Sequence, residues 1–581
     1  MFLPTTKNEL NALGWKSPDV ILVTGDTYVD SPFIGVAIIG KVLIDAGYTV
    51  GIIAQPDILS GKDIERLGEP NLFWGITSGC MDSMISNYTP TNKRRKRDDL
   101  TGGGLNIRRP DMAVIAYANL VRRYFKKTKP IVIGGIEASL RRISHYHYGS
   151  DSIRRSILFD AKADVLVYGM GEKTTLELAE NIRHRRPVTD VRGICYIAPE
   201  KKEGYIELPS HAEVAVDSTR FIEMFKIFYK NNDPITGKGL CQKQDSRYLI
   251  QNPPQFPLTN EELDHVHDLD YERNVHPYYA AWGPVRALET IRFAITTHRG
   301  CYGDCNFCAI SAHQGQRVVD RSEASILKEA SILTSHPEFK GYIHDVGGPT
   351  ANMYGIECKR KTTKGRCRNK RCLTPVICNK LEISHLPQIA LLKKIRQMPK
   401  VKKVFIGSGI RHDMVLKDQK YGLKYLEEII QHHISGQLKV APEHSENHIL
   451  ALMGKPPIES FVEFFRRFQE INRQMGKKQF LTCYFIAAYP GCTYQDMERL
   501  NRFNRRVLKF KPRQIQIFTP SPSTPATLMY YTGKAYDSGK SIFVEKDKQN
   551  KEKQKNLILK GLPGDGKEEG GQKGKGLVSY L

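Results

Sequence analysis

The sequence predicts an α/β protein of two successive units, a doubly wound parallel sheet followed by a partial (β/α)6 barrel, on three observations. Apolar runs of strand length alternate with helix-period segments through most of the 581 residues. Glycines stand at the carboxyl ends of several of those runs, and a tight group of cysteines follows the first run of the second series. One core is not enough at this length, and a hydrophobic fraction of 40% supplies material for two or three.

The first series comprises Val20–Gly25, Thr49–Gln55, Asn71–Thr77, Pro130–Gly135, Ala163–Gly169 and Gly193–Ala198, with helical segments such as Val36–Ala46 and Met112–Lys126 between them. Gly25, Gly134–Gly135 and Gly169–Gly171 fall at strand ends, where open α/β sheets place their ligand crevice. These elements assign residues 1–200 to the first unit. Residues 201–285 are less regular and rich in Asp, Asn and Pro, which reads as a connecting region. The second series, over 286–535, offers Arg292–Thr297, Gly341–Val346, Lys403–Gly407, Gln437–Ala441, Gln479–Ala487 and Gln514–Thr519, separated by helical segments such as Ser322–Leu333, Gln419–His432 and Ile458–Met475. Reactive groups of such a barrel belong at the carboxyl ends of its strands. From 536 to 581 the composition collapses to Lys, Glu, Gln and Gly, the mark of a disordered basic tail.

Seven of the twelve cysteines lie between Cys301 and Cys378, a clustering that suits metal ligands better than a disulfide framework. Cys301, Cys305 and Cys308 follow directly on the first barrel strand and can give one thiolate to each of three irons of a 4Fe-4S cluster. Clusters are normally held by four thiolates, so three leave one iron open to a substrate-like ligand. His298 and Arg299, just before the loop, would ease reduction if cationic. A zinc site would call for a fourth ligand at paired spacing.

The Cys-x-x-x-Cys-x-aromatic-Cys loop resembles that of the radical S-adenosylmethionine (SAM) superfamily. Thr24–Gly35, Ile133–Tyr146, Asp345–Tyr354, Gly409–Asp413, Gln437–His444 and Phe485–Pro490 resemble the YgiQ family within it, from about residue 10 to about residue 535. The resemblance implies an enzyme that cleaves SAM reductively to a 5′-deoxyadenosyl radical, served by an external electron donor such as flavodoxin or ferredoxin; the lack of a bilayer-length apolar run and of a charged-then-apolar leader at Met1–Glu9 makes a cytoplasmic protein the expectation. It also implies SAM contacts at the backbone of Gly347 and Gly348, although Pro349 stands where relatives carry an acidic residue. Ser408, Arg411, Lys439 and Glu443, at the ends of the third and fourth strands, are candidates for the SAM carboxylate and ribose. The first unit is similar to cobalamin-binding sheets, but the Asp-x-His-x-x-Gly loop that supplies a cobalt ligand is missing, which argues against cobalamin.

A second group, Cys358, Cys367, Cys372 and Cys378, lies in a basic insertion over 355–380. Its spacing lacks the short Cys-x-x-Cys pairs of common zinc modules, so a second iron–sulfur cluster, zinc and free thiols all stay open. A net charge of +25 suits a nucleic-acid partner, and RNA modification is one alternative function. A non-catalytic electron carrier or a metal-dependent nucleic-acid-binding protein is another. No apolar run reaches bilayer length, the best, Val36–Ile44, being broken by Lys41. The sequence identifies neither the substrate nor a catalytic residue.

Overall fold

In a computed structural model, which describes residues 1–560, all six strands of the first series form. They are β1 (Val20–Thr24), β2 (Val50–Ala54), β3 (Phe73–Thr77), β4 (Ile131–Gly134), β5 (Val165–Val167) and β6 (Ile194–Ala198). The sheet then takes three more strands, β7 (Ile206–Leu208), β8 (Leu240–Gln244) and β9 (Arg247–Gln251), in the order β7-β8-β9-β6-β5-β4-β3-β1-β2. From β2 to β5 every pairing is parallel; β6 is antiparallel to both β5 and β9. The buried patterns of β1 and β2 are apolar on both faces, as expected of a sheet covered on both sides by helices such as α1 (Gly35–Asp45) and α2 (Ala113–Tyr124).

Residues 201–285 are therefore more than a connector, since 206–251 extend the first sheet by three strands. Their sequences hide it because β8 and β9 bury glutamines beside only a few aliphatic side chains, Leu240, Leu249 and Ile250. Gln242 donates to the Pro209 carbonyl at 2.9 Å, Gln244 accepts from the Ser156 amide at 2.9 Å, and Gln251 accepts from Arg142 at 3.1 Å. Hydrogen-bonded amides of this kind can be buried, with only Gln251 Nε2 among them left unpartnered, but in a sequence they read as loop.

The second series forms β10 (Ala294–Thr296), a second strand in two pieces, β11 (Tyr342–Ile343) and β12 (Asp345–Gly347), then β13 (Lys403–Val404), β14 (Gln437–Glu443), β15 (Phe480–Ala487) and β16 (Gln514–Ile517). Each pairs in parallel with the next in chain order, the third and fourth through the Ile410–Val440 bridge. Helices α3 (Glu323–Ser335) and α4 (Ile458–Gln474) cover the outside; α4 presents Phe461, Phe464, Phe465, Phe468 and Ile471 to the core at helical spacing.

The expected disordered tail is ordered in its first half. Helix α5 (Lys548–Lys560) packs on the last barrel strands, burying Leu557 and Ile558, while Gln554 accepts from the Ala488 amide at 2.9 Å. Lys551 lies on the same face, its ammonium 2.8 Å from the Tyr530 hydroxyl and 3.3 Å from that of Tyr148, and burial lowers its pKa to about 8. A long lysine stem covers apolar surface, so a segment with this composition can still dock. The Gly- and Lys-rich residues 561–581 lie outside the described residues. No helix of the described residues is long and apolar enough to cross a membrane. Leu557→Ala should lower stability by about 2–5 kcal/mol, as a buried leucine does, in a chemical denaturation experiment, whereas a truly detached tail would leave it unchanged.

Candidate functional site

The loop Cys301–Cys308 leaves the mouth of the barrel after the short strand His298–Arg299, and its three thiols are half-buried. Gly303 donates its amide to Cys301 Sγ at 3.3 Å, and Thr350 Oγ1 lies 3.7 Å from the same sulfur. Arg411 places Nη1 3.8 Å from Cys305 Sγ. Burial pushes the Cys301 and Cys308 thiols up, reinforced in both by Cys305. The three sulfurs thus share one electrostatic environment. They are not all within 4.8 Å of one another, which only Glu446, His448 and Asp496 achieve among the described residues. A single tetrahedral zinc would hold thiolates closer, at Zn–S of about 2.3 Å. A cluster that binds each thiolate through a different iron suits the wider set, and amide–sulfur bonds and a nearby guanidinium are what stabilise its charge.

Gly347 ends β12 and Gly348 follows it, next to the loop. A Cβ on Gly348 would lie 2.6 Å from the His298 ring, and one on Gly347 would lie 3.2 Å from Ser408 Oγ and Ala351 Cβ. The protein's own packing therefore already requires Gly348, apart from any ligand, and leaves little room for a side chain at Gly347. His298 itself is buried, and burial lowers its pKa to about 4. It is neutral, and Arg299 is ion-paired with Glu172 of the first unit, so neither brings the free positive charge expected of them.

The remaining candidates converge on the same mouth but are mostly engaged. Ser408 donates to Asp345, which also accepts the Gly407 and Ser408 amides at 2.8 and 3.0 Å. Burial raises the Asp345 pKa against those hydrogen bonds and the charge of Lys439. Arg411 forks onto Asp413 at 2.8 and 2.6 Å. Glu443 sits at φ 68°, buried, with Lys455 at 3.7 Å; burial raises its pKa and Lys455 opposes the rise. The Lys439 ammonium makes no hydrogen bond or ion pair among the described residues, and its charge acts on Asp345 inside the barrel. Asp345, Thr350, Asp413 and Lys455 were missed by sequence reasoning. Asp345 and Asp413 lie inside quoted motifs, but nothing local marks Lys455 as the partner of Glu443.

Of the insertion, Cys358 and Cys372 are buried in a small core with Tyr302, Ile356, Leu373 and Met414, against which Cys301 also packs. Cys367 accepts from Arg360 at 3.1 Å, and Cys378 is half-buried near Lys370. No three of these sulfurs lie within 4.8 Å of one another. In the first unit, the polar groups near the strand ends pair among themselves: Asp26 and Asp98 with Arg109, Asp30 with Lys41, Asp82 with Arg141.

Comparison with known proteins shows the family of the chain. The family model described as Radical SAM N-terminal matches residues 2–294. A UPF0313 protein of Fusobacterium nucleatum is 54% identical over 558 residues, covering 96% of this chain and 98% of the relative. One from Thermotoga petrophila is 48% identical over 562 residues, with coverage of 96% and 98%. Among solved structures, the radical S-adenosylmethionine methyltransferase TsrM of Kitasatospora setae, with cobalamin and a 4Fe-4S cluster bound, aligns at 14% identity and a TM-score of 0.49, covering 88% of this chain and 78% of that one.

The Arg411–Asp413 fork carries a measurable pH signature. Burial would raise the Asp413 pKa, but Arg411 overrides it and holds the carboxyl at about 2. A depressed pKa stabilises the fold above the unfolded value of about 4 and loses that contribution as pH falls toward about 2. Asp413→Asn should cost about 3–5 kcal/mol at neutral pH by leaving Arg411 buried without its anion. In unfolding titrations of the metal-free protein, the gap to the parent should narrow below about pH 4; a gap independent of pH would refute the assignment.

Proposed function

Given that the chain belongs to the radical SAM family, in its UPF0313 (YgiQ) group, we propose that Cys301, Cys305 and Cys308 hold a 4Fe-4S cluster that cleaves SAM reductively. The observation that carries this reading is the convergence of three thiols of one loop, spaced more widely than a single ion's ligands, at the mouth of a parallel barrel. Such a cluster, reduced and with one iron open, supplies the electron that splits SAM into methionine and a 5′-deoxyadenosyl radical.

The chain's own groups divide the remaining work. Arg411 compensates the thiolate charge, while Asp413 keeps that guanidinium in place. Lys439 is the candidate cation with its ammonium left unpaired, and so suits the SAM carboxylate. The Gly347 carbonyl is taken by the Thr297 amide at 2.7 Å and hydroxyl at 3.1 Å, which leaves the backbone of Gly348 for the SAM amino group, and Glu443 is available to ribose hydroxyls through the carboxylate oxygen not facing Lys455. An external flavodoxin or ferredoxin is the donor this chemistry calls for.

The finer alternative, an RNA substrate, is supported by the +25 charge and by the exposed run Lys93–Arg97. The four insertion cysteines are proposed as a second metal site, of iron–sulfur or zinc type.

Anaerobically reconstituted protein should lose one four-iron cluster when Cys301, Cys305 and Cys308 are all changed to Ala, because thiolates are the ligands. Reduced with dithionite, the parent should form 5′-deoxyadenosine from SAM even without substrate, and Lys439→Ala should raise the SAM concentration needed by about tenfold, a charge-assisted contact being worth about 1.5–3 kcal/mol. Retention of all the iron by the triple variant would overturn the cluster assignment, and no 5′-deoxyadenosine on long incubation would favour a carrier.

Elemental analysis of the same triple variant tests the second site. Zinc or iron should remain there, and be lost when Cys358, Cys367, Cys372 and Cys378 are also replaced by Ser. A metal-free triple variant would leave those thiols as packing residues.

A further inference from the structure

Asp304, between Gly303 and Cys305 in the cysteine loop, is a buried aspartate at φ 47°. The left-handed region is unfavourable for a side-chain-bearing residue and persists only where the surroundings over-determine it. Four groups do so here. The Tyr229 hydroxyl and Gln316 Nε2 donate to Oδ1 at 2.5 and 2.8 Å, Arg366 Nη2 donates to Oδ2 at 3.3 Å, and Arg371 Nη1 donates to the Asp304 carbonyl at 3.0 Å. Arg371 then uses Nη2 on Asn306 Oδ1 at 2.8 Å, so its fork spans both neighbours of Cys305.

Both arginines come from the cysteine-rich insertion, which is itself anchored on the far side. The Arg366 amide donates to Asp233 at 3.0 Å, and the Arg366 guanidinium lies over the Tyr229 ring at 4.9 Å. Cys358 and Cys372 of the insertion share a core with Tyr302 of the loop. We propose that the insertion is a brace for the cluster loop, and that Arg366 and Arg371 are positioning residues that hold Asp304 in its strained conformation and Cys305 in its ligand geometry. Their two positive charges also lie beside the site of an anionic cluster. The proposal rests on the reading of Cys301, Cys305 and Cys308 as cluster ligands, but the loop can be measured with or without a cluster.

The test compares the full-length parent with Arg366→Ala/Arg371→Ala and Arg366→Lys/Arg371→Lys. In metal-free protein, amides of residues 303–308 should exchange hydrogen at least tenfold faster in the alanine variant. In reconstituted protein, iron should pass to a chelator at least tenfold faster, and the cluster's midpoint potential should move to more negative values with the loss of nearby cations. The lysine variant should restore the potential but not the slow iron release, because an ammonium cannot reproduce the two-pronged contact. A folded alanine variant with parental exchange and iron release would overturn the brace. If that variant does not fold, Arg371→Met, which keeps the apolar stem, decides by the same two rates. Absence of iron from the parent would reject the cluster reading alone, leaving hydrogen exchange to judge the brace.

Discussion

The proposed cluster needs three thiols held apart on one loop, and the buried charges around that loop answer this need. Burial disfavours the thiolate form, as the raised pKa values of Cys301 and Cys308 show, so the thiols need compensating positive charge. Arg411 brings it to Cys305 from the end of the third strand. A guanidinium buried there needs an anion of its own, which Asp413 supplies two residues later. Each buried charge at the mouth thus calls for the next, and Glu443 with Lys455 repeats the pattern one strand further on.

The same logic joins the two units. Arg299, two residues before Cys301, reaches Glu172 at the start of a helix of the first sheet, and Tyr229 of the segment before β8 reaches Asp304 inside the loop. The first unit therefore bears directly on the conformation of the cysteine loop. Its own strand-end carboxylates are paired with Arg109, Lys41 and Arg141, which makes that crevice a set of internal ion pairs. Buried pairs of this kind add little net stability, but they fix geometry, since removing one partner strands the other.

What the sequence by itself determined is what depends on neighbours close along the chain. Strands of the two series were legible because apolar runs such as Val20–Thr24 and Phe480–Ala487 carry their pattern locally, and the cysteine triad was legible because its three members lie within eight residues. Family resemblance extended that reading to the cofactor. Strands β8 and β9 were not legible, because their buried glutamines are tolerated only through bonds to Pro209, Ser156 and Arg142. Helix α5 was hidden for a related reason, its one apolar face being interrupted by Lys551, whose stem is buried only against Tyr530 and Tyr148.

Tertiary structure alone decided which of the candidate charges are committed. Ser408, Arg411 and Glu443 looked equivalent to Lys439 in the sequence, yet three of them face Asp345, Asp413 and Lys455 while the Lys439 ammonium makes no pair. It also turned His298 from an expected cation into a neutral buried ring, and tied Arg366 and Arg371 to a loop some sixty residues earlier. The physical reason is the same in each case. Periodicity and ligand spacing are properties of a short stretch of chain, whereas the charge state and freedom of a side chain depend on whatever distant residue the fold sets against it.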